Sequence, residues 1–282
     1  MFLTPDTYCH LWPPTQHILH NAKRILKTDT PSNVPSTQLP SDVPTTRPST
    51  MIPTKSWVQT TTFYVIGDVP YNPQQAVEMQ EQIQGIPSPD TADFVIHVGD
   101  IRSAADETKN CRLSEYQDVA QILQQSAVPV FIVPGDNEWN DCPNRNQAWN
   151  FWTRTFAGFE STVWNVDHFG TIERMQNRPE TFSFVFKGTL FVGLNLVGGH
   201  VHNANEWQER LTEQVEWLQT LMRRHELPTV LFGHANPSTH HAAFFEPLRD
   251  FLSEELRNTI PFLYVNGDKH RYVHTWMLLD MR

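Results

Sequence analysis

No stretch of this 282-residue chain approaches the roughly 18 consecutive apolar residues that a membrane-spanning helix needs, so no span is expected. Runs rich in Lys and Arg are also missing, and the formal net charge is -10. A chain of that balance lacks the electrostatic footprint for nucleic-acid backbone or an anionic membrane surface. The opening MFLTPDTYCHLWPP has neither the positive flank nor the continuous apolar core of a secretory signal, so the chain as given does not look exported. Gly-x-Gly-x-x-Gly and Walker-type phosphate loops are absent, which disfavours dinucleotide and P-loop chemistry. With no Gly-x-Ser-x-Gly elbow, a serine hydrolase has no nucleophile in place. Three cysteines are too few for a disulfide scaffold, and none form a C-x-x-C pair. Cys111 and Cys142 both fall in loops after expected strands, and joining them would stabilise the fold by roughly 3 to 4 kcal/mol. Two free thiols in a reducing compartment are an equal alternative, whereas a bond would be compatible with export. Cys9 is left over either way.

What is present is enough for a folded body: 39% apolar residues, with 11% aromatics, supply a sizeable core. Residues 28–56 are dominated by Ser, Thr and Pro, with Pro31, Pro35, Pro40, Pro44, Pro48 and Pro53 spaced so that regular helix is forbidden. This stretch reads as a disordered linker. Ahead of it, Ile18, Ala22, Ile25 and Leu26 line one face of a marginal helix, and residues 1–56 together are expected to be poorly ordered.

From residue 57 to 282 the texture changes to short apolar runs alternating with amphipathic stretches, which indicates an α/β domain. Strands are expected over Thr62 to Ile66, Phe94 to Val98, Val130 to Val133, Phe182 to Phe186, Leu190 to Leu196, Thr229 to Phe232, Phe262 to Val265 and Tyr272 to Leu278. Helical spacing joins Tyr116, Val119, Ala120 and Leu123, then Trp149, Trp152 and Phe156, and then Trp207, Leu211, Val215, Leu218 and Met222.

Four Gly-Asp pairs follow apolar runs directly, ending at Asp68, Asp100, Asp136 and Asp268, and a fifth run, TVLFGH, ends at His234. One Gly-Asp is a commonplace turn, because Gly permits a sharp departure and Asp caps the loop. Five strand ends that each carry Gly and a metal-competent side chain point to one edge, since open α/β sheets bind ligands at the carboxyl ends of their strands. Carboxylates grouped there need compensation by positive charge, and divalent cations supply it.

In order and spacing, GDVPY, HVGDI, PGDNEW, LFGHANP and NGDKH resemble the blocks of the calcineurin-like metallophosphoesterases, over residues 63–274. The resemblance implies a two-sheet β-sandwich flanked by helices, with two divalent metals whose bound hydroxide attacks a phosphoester. Carried across, Asp68 matches the first-block Asp, Asp100 the bridging Asp, His234 the lone His and His270 the last His. Pro70 stands where the first block has a ligand His, Asp136 takes an Asn position, and Asp268 replaces a His. Asn137 takes the place of the His that protonates the leaving group. The implied metal set is therefore Asp68, Asp100, Asp136, His234, Asp268 and His270, with Asp68 and His270 on one ion and Asp136 and His234 on the other. Exchanging imidazoles for carboxylates favours Mn or Mg over Fe or Zn.

Asp100, Asn137 and His241 form the expected catalytic group, with His200, His202 and His240 as further proton sources and Tyr71 as a filler of the space left by the missing His. For Tyr71 and each of these four histidines a packed or solvated loop residue is the plainer reading. His97, inside a strand, reads as a core histidine, and Trp139 as packing for its loop. The expected partner is a phosphorylated small molecule or other phosphoester, and the expected state is a monomer. The alternative is a weakened relative that acts as a metal- or ligand-binding module. A haloacid-dehalogenase-like phosphatase is disfavoured, because Asp68-Val69-Pro70 lacks the second Asp of its Asp-x-Asp.

Overall fold

The structure is a computed structural model that describes residues 60–86, 92–104, 110–257 and 259–268. The Ser/Thr/Pro-rich segment, the helix around Ile18, Cys9, His270 and the strand expected over Tyr272 to Leu278 lie outside these residues.

Alternation along the strands builds the architecture. The first three are β1 (Phe63–Ile66), β2 (Phe94–His97) and β3 (Val130–Ile132), paired in parallel in that order. Phe63, Val65, Phe94, Ile96, Phe131 and Val133 point to one face and join a cluster with residues of the second sheet. Ile66, Val95, Val130 and Ile132 point to the other face. That face is covered by α1 (Pro73–Gln84), α2 (Leu113–Leu123) and α3 (Arg145–Phe156), through Met79, Ile83, Tyr116, Leu123 and Trp152. Period-two alternation thus separates a sheet-to-sheet core from a sheet-to-helix core.

After the short α4 (Glu160–Val163) the chain makes the second sheet from β4 (Glu173–Met175), β5 (Arg178–Phe186), β6 (Thr189–Gly193), β7 (Thr229–Phe232) and β8 (Phe262–Val265). Its order is sequential, with antiparallel pairing up to β6 and parallel pairing from β6 to β8. Phe182, Phe184, Phe191, Val230, Phe232 and Leu263 face the first sheet. Leu190, Val192, Leu231 and Tyr264 face α5 (Ala204–His225) and α6 (Ala242–Glu254). The result is the expected four-layer helix, sheet, sheet, helix arrangement.

The differences from the expected elements have local causes. β6 stops at Gly193, short of Leu196, because His234 N–H and Ala235 N–H both converge on the Leu196 carbonyl and break the ladder. β4 had no apolar signature, since Glu173, Arg174 and Met175 are all half-buried on a sheet edge. Helix α1 offers only Met79 and Ile83 as deeply buried residues, too sparse a stripe to stand out.

Candidate metal centre

The parallel strands of both sheets bring five loops to one edge. Asp68 follows β1, Asp100 follows β2, Asp136 follows β3, His234 follows β7 and Asp268 follows β8. Three of the aspartates adopt left-handed backbone angles, with φ of 58° at Asp68, 60° at Asp100 and 73° at Asp268. Each costs on the order of 1 kcal/mol, and the surrounding loops hold them there. Side-chain atoms of Asp68, Asp100 and His234 lie within 4.8 Å of one another, as do those of Asp136, His234 and Asp268. His234 belongs to both groups.

The imidazole of His234 is fully buried, and its Nδ1–H donates to the Val98 carbonyl at 2.8 Å. Nε2 lies 3.2 Å from an Asp100 oxygen and 3.0 Å from an Asp136 oxygen, without hydrogen-bond geometry to either. An unprotonated Nε2 facing two carboxylates is unfavourable, so a proton or a cation must stand among them. Burial opposes protonation of His234, but Asp100 and Asp136 outweigh it and hold its pKa well above the ordinary value. Conversely, burial works against ionisation of Asp136, yet His234 keeps that carboxyl below its usual range. A proton or a metal ion satisfies the same oxygens. A backbone-anchored imidazole among several carboxylates is a donor set that fits a divalent cation.

Asp100 is oriented from three directions. The Asn137 backbone N–H donates to its Oδ1 at 3.1 Å, and the Asn137 amide donates to its Oδ2 at 2.6 Å. The Tyr71 hydroxyl donates to Oδ2 at 3.0 Å and lies 3.4 Å from Asp68 Oδ1. Burial, together with Asp100 and Asp68, pushes the Tyr71 phenol far above its usual range, so it stays protonated and donates. Tyr71 therefore reaches the cluster, in the space next to Pro70. The Asp268 backbone N–H donates to Asp68 Oδ1 at 3.1 Å, and the Gly198 N–H donates to Asp136 Oδ1 at 3.3 Å.

His241 is buried, with Nε2–H donating to the Val197 carbonyl at 2.8 Å and Nδ1 accepting from the Ser238 hydroxyl at 2.9 Å. Burial lowers its pKa, and neither ring nitrogen is left over. His97 is a satisfied core histidine, with Nε2–H on the Val69 carbonyl at 3.0 Å and Nδ1 accepting from Gly99 N–H at 3.2 Å. Burial brings it down to about 4. His200 and His202 are exposed on the loop that begins at Gly198, with ring centres 6.0 Å apart. His240 is exposed and offers its carbonyl to Trp207. Trp139 packs its loop, 4.3 Å from the Trp149 ring and 5.2 Å from the Arg210 guanidinium.

Cys111 and Cys142 form a disulfide beside the Asn137 carbonyl, which also accepts from Arg102 at 2.8 Å. Three residues that support the loops carrying the aspartates were not singled out in the sequence. They are Arg102, Asn140, whose amide donates to the Gly198 and His200 carbonyls, and Glu138. Glu138 falls where the third block of the resembled family closes on Glu or Asp, and that position was its signal in the sequence. Burial, with Asp100 adding to it, pushes its carboxyl up to about 8.

The sequence model of the calcineurin-like phosphoesterases matches residues 61–273. Among curated proteins none matches the chain. Among solved structures, one described as a dimetal phosphatase from Danio rerio is 14% identical, with a TM-score of 0.44, over 67% of this chain and 77% of that one. No helix of the described residues is long and apolar enough to cross a membrane.

Proposed function

From the premise that this chain belongs to the calcineurin-like phosphoesterase family, we propose that it hydrolyses a phosphoester at a dinuclear centre built from Asp68, Asp100, Asp136, His234, Asp268 and His270. Family membership supports metal-dependent phosphoester hydrolysis in general. One observation carries the finer reading: the buried His234 Nε2 faces oxygens of both Asp100 and Asp136 with no hydrogen bond of its own. Asp100 would stand between the ions and Asp68 on one side. Asp136, Asp268 and His234 would hold the other ion, because one imidazole lone pair binds one cation. His270, outside the described residues, would complete the first set. Four carboxylates against two imidazoles favour Mn or Mg over Fe or Zn.

Bound divalent ions would neutralise the phosphoryl oxygens and make water a nucleophile at neutral pH. The protein's own contribution is orientation. Asn137 and Tyr71 hold the Asp100 carboxylate, and backbone N–H groups hold Asp68 and Asp136. An amide at position 137 has no proton to give a leaving group, and both ring nitrogens of His241 are committed. The exposed His200 and His202, on the loop whose Gly198 touches Asp136, are the better proton source. The proposed catalytic unit is residues 57–282, acting as a monomer on a phosphorylated small molecule or comparable phosphoester.

The test is turnover of an aryl phosphate and a bis-aryl phosphodiester by chelator-stripped protein given Mn. Activity should need the metal and fall at least about 100-fold in Asp100→Asn. A second reading is favoured by the Asn137 amide: a relative that binds metal and ligand without turnover. Protein that takes up Mn and leaves both substrates intact would establish that reading and defeat the enzyme.

A further inference from the structure

Glu138 belongs to neither cation grouping, yet its side chain is fully buried directly behind them. Oε1 accepts from the Gly135 N–H at 2.6 Å, and Oε2 accepts from the Ile101 N–H at 3.3 Å. Gly135 immediately precedes Asp136, and Ile101 immediately follows Asp100. A single planar carboxyl group therefore grips the backbone of both loops at the residue next to each aspartate. Its own main chain is fixed as well, because the Tyr116 hydroxyl on α2 donates to the Glu138 carbonyl.

We propose that Glu138 is the positioning residue that sets the separation of the Asp100 and Asp136 loops, and with it the simultaneous occupation of both cation sites. The inference rests on the dinuclear reading above. Its reason lies in what the other cross-loop contacts do. Both bonds that Asn137 donates end on the Asp100 carboxylate, whose oxygens are the ones a cation would draw away, and the Arg102 guanidinium reaches a single backbone carbonyl, that of Asn137. Glu138 holds backbone only, so its grip does not compete with a cation for Asp100. A glutamine at this position keeps the volume but turns an NH2 group toward one of the two backbone N–H donors, and one loop is released. An aspartate, one methylene shorter, reaches one N–H and not the other.

The experiment compares wild type, Glu138→Gln and Glu138→Asp. Each is stripped of metal and titrated with Mn, with bound metal measured directly and the electron paramagnetic resonance spectrum recorded. Wild type should bind two equivalents and give the spectrum of a spin-coupled Mn pair. Glu138→Gln should keep its far-ultraviolet circular dichroism and its first equivalent, bind the second about 10- to 100-fold more weakly, and lose the coupled signal. Glu138→Asp should fall between the two. A Glu138→Gln protein with an unchanged second affinity and an unchanged coupled spectrum overturns the proposal. Wild type that binds one equivalent or shows no coupling instead sinks the dinuclear reading, and the proposal with it.

If Glu138→Gln does not fold, amide exchange in metal-free wild type decides. Slow exchange at both Ile101 and Gly135 supports the grip, and fast exchange at either overturns it.

Discussion

A methyl group on Gly135 would overlap the Asp100 backbone nitrogen and Oδ1, so the two loops touch main chain to main chain only because this residue has no side chain. Gly135→Ala should push Asp100 off its place. The expected result is about 1 to 3 kcal/mol lower stability by denaturant unfolding. Mn affinity, measured by calorimetry, should drop as well. A second residue carries a pH signature remote from the site. Glu180, a residue of β5, is buried, and burial raises its carboxyl from the usual 4.5 while the hydrogen bond from Asn195, at 3.0 Å, partly opposes the shift. A carboxyl raised in the folded state contributes stability that is whole below pH 4.5 and is lost as pH climbs through the folded value. Glu180→Gln should therefore show a stability deficit against wild type that shrinks as pH rises from 4 to 8, as read from unfolding midpoints of metal-free protein. A deficit that grows with pH would refute it.

At the scale of elements, the loop from 134 to 142 is gripped at several points. Glu138 ties it to the β2 loop, Tyr116 ties it to α2, and the disulfide of Cys142 with Cys111 closes 31 residues of chain. Reduction should cost roughly 3 to 4 kcal/mol of stability if chain entropy dominates. A thermal melt with and without reductant measures it, and an unchanged midpoint would show that the loop is held without the bond. Elements also show where sequence patterns suffice. β7 and β8 have their expected bounds, because Val230 to Phe232 and Phe262 to Val265 are continuous apolar runs closed by Gly233 and by Asn266-Gly267. Helix α6 was not expected although Phe244, Leu248, Phe251 and Leu252 are buried along it, because Pro247 interrupts the pattern. The histidines divide in the same way. His97 and His241 look alike as letters, and only packing shows that each has both nitrogens engaged.

The whole molecule is held by the aromatic layer between the sheets. Phe94 is its centre, stacked 5.0 Å from Phe63 and edge-on to Phe131, Phe184, Phe191 and Phe232. Phe94→Ala should cost about 3 to 5 kcal/mol, because neighbours from two sheets cannot all collapse into the space. Since both sheets share this layer, unfolding should follow one transition by fluorescence and by circular dichroism. Two separated transitions would contradict a common core.

Sequence alone determined the α/β class and the residue types at five strand ends, because apolar runs and Gly-Asp turns are local and survive in one dimension, while the two-sheet form was what the resemblance of the five motif blocks implied. Tertiary structure decided what those residues touch. It placed Tyr71 on Asp100, locked Asn137 to the same carboxylate, committed His241 to backbone and buried Glu138 behind two loops. Those pairings join residues up to 44 positions apart, and the Asp268 N–H reaches Asp68 across 200. Two sheets must stack before such groups meet, and no pattern of spacing encodes that.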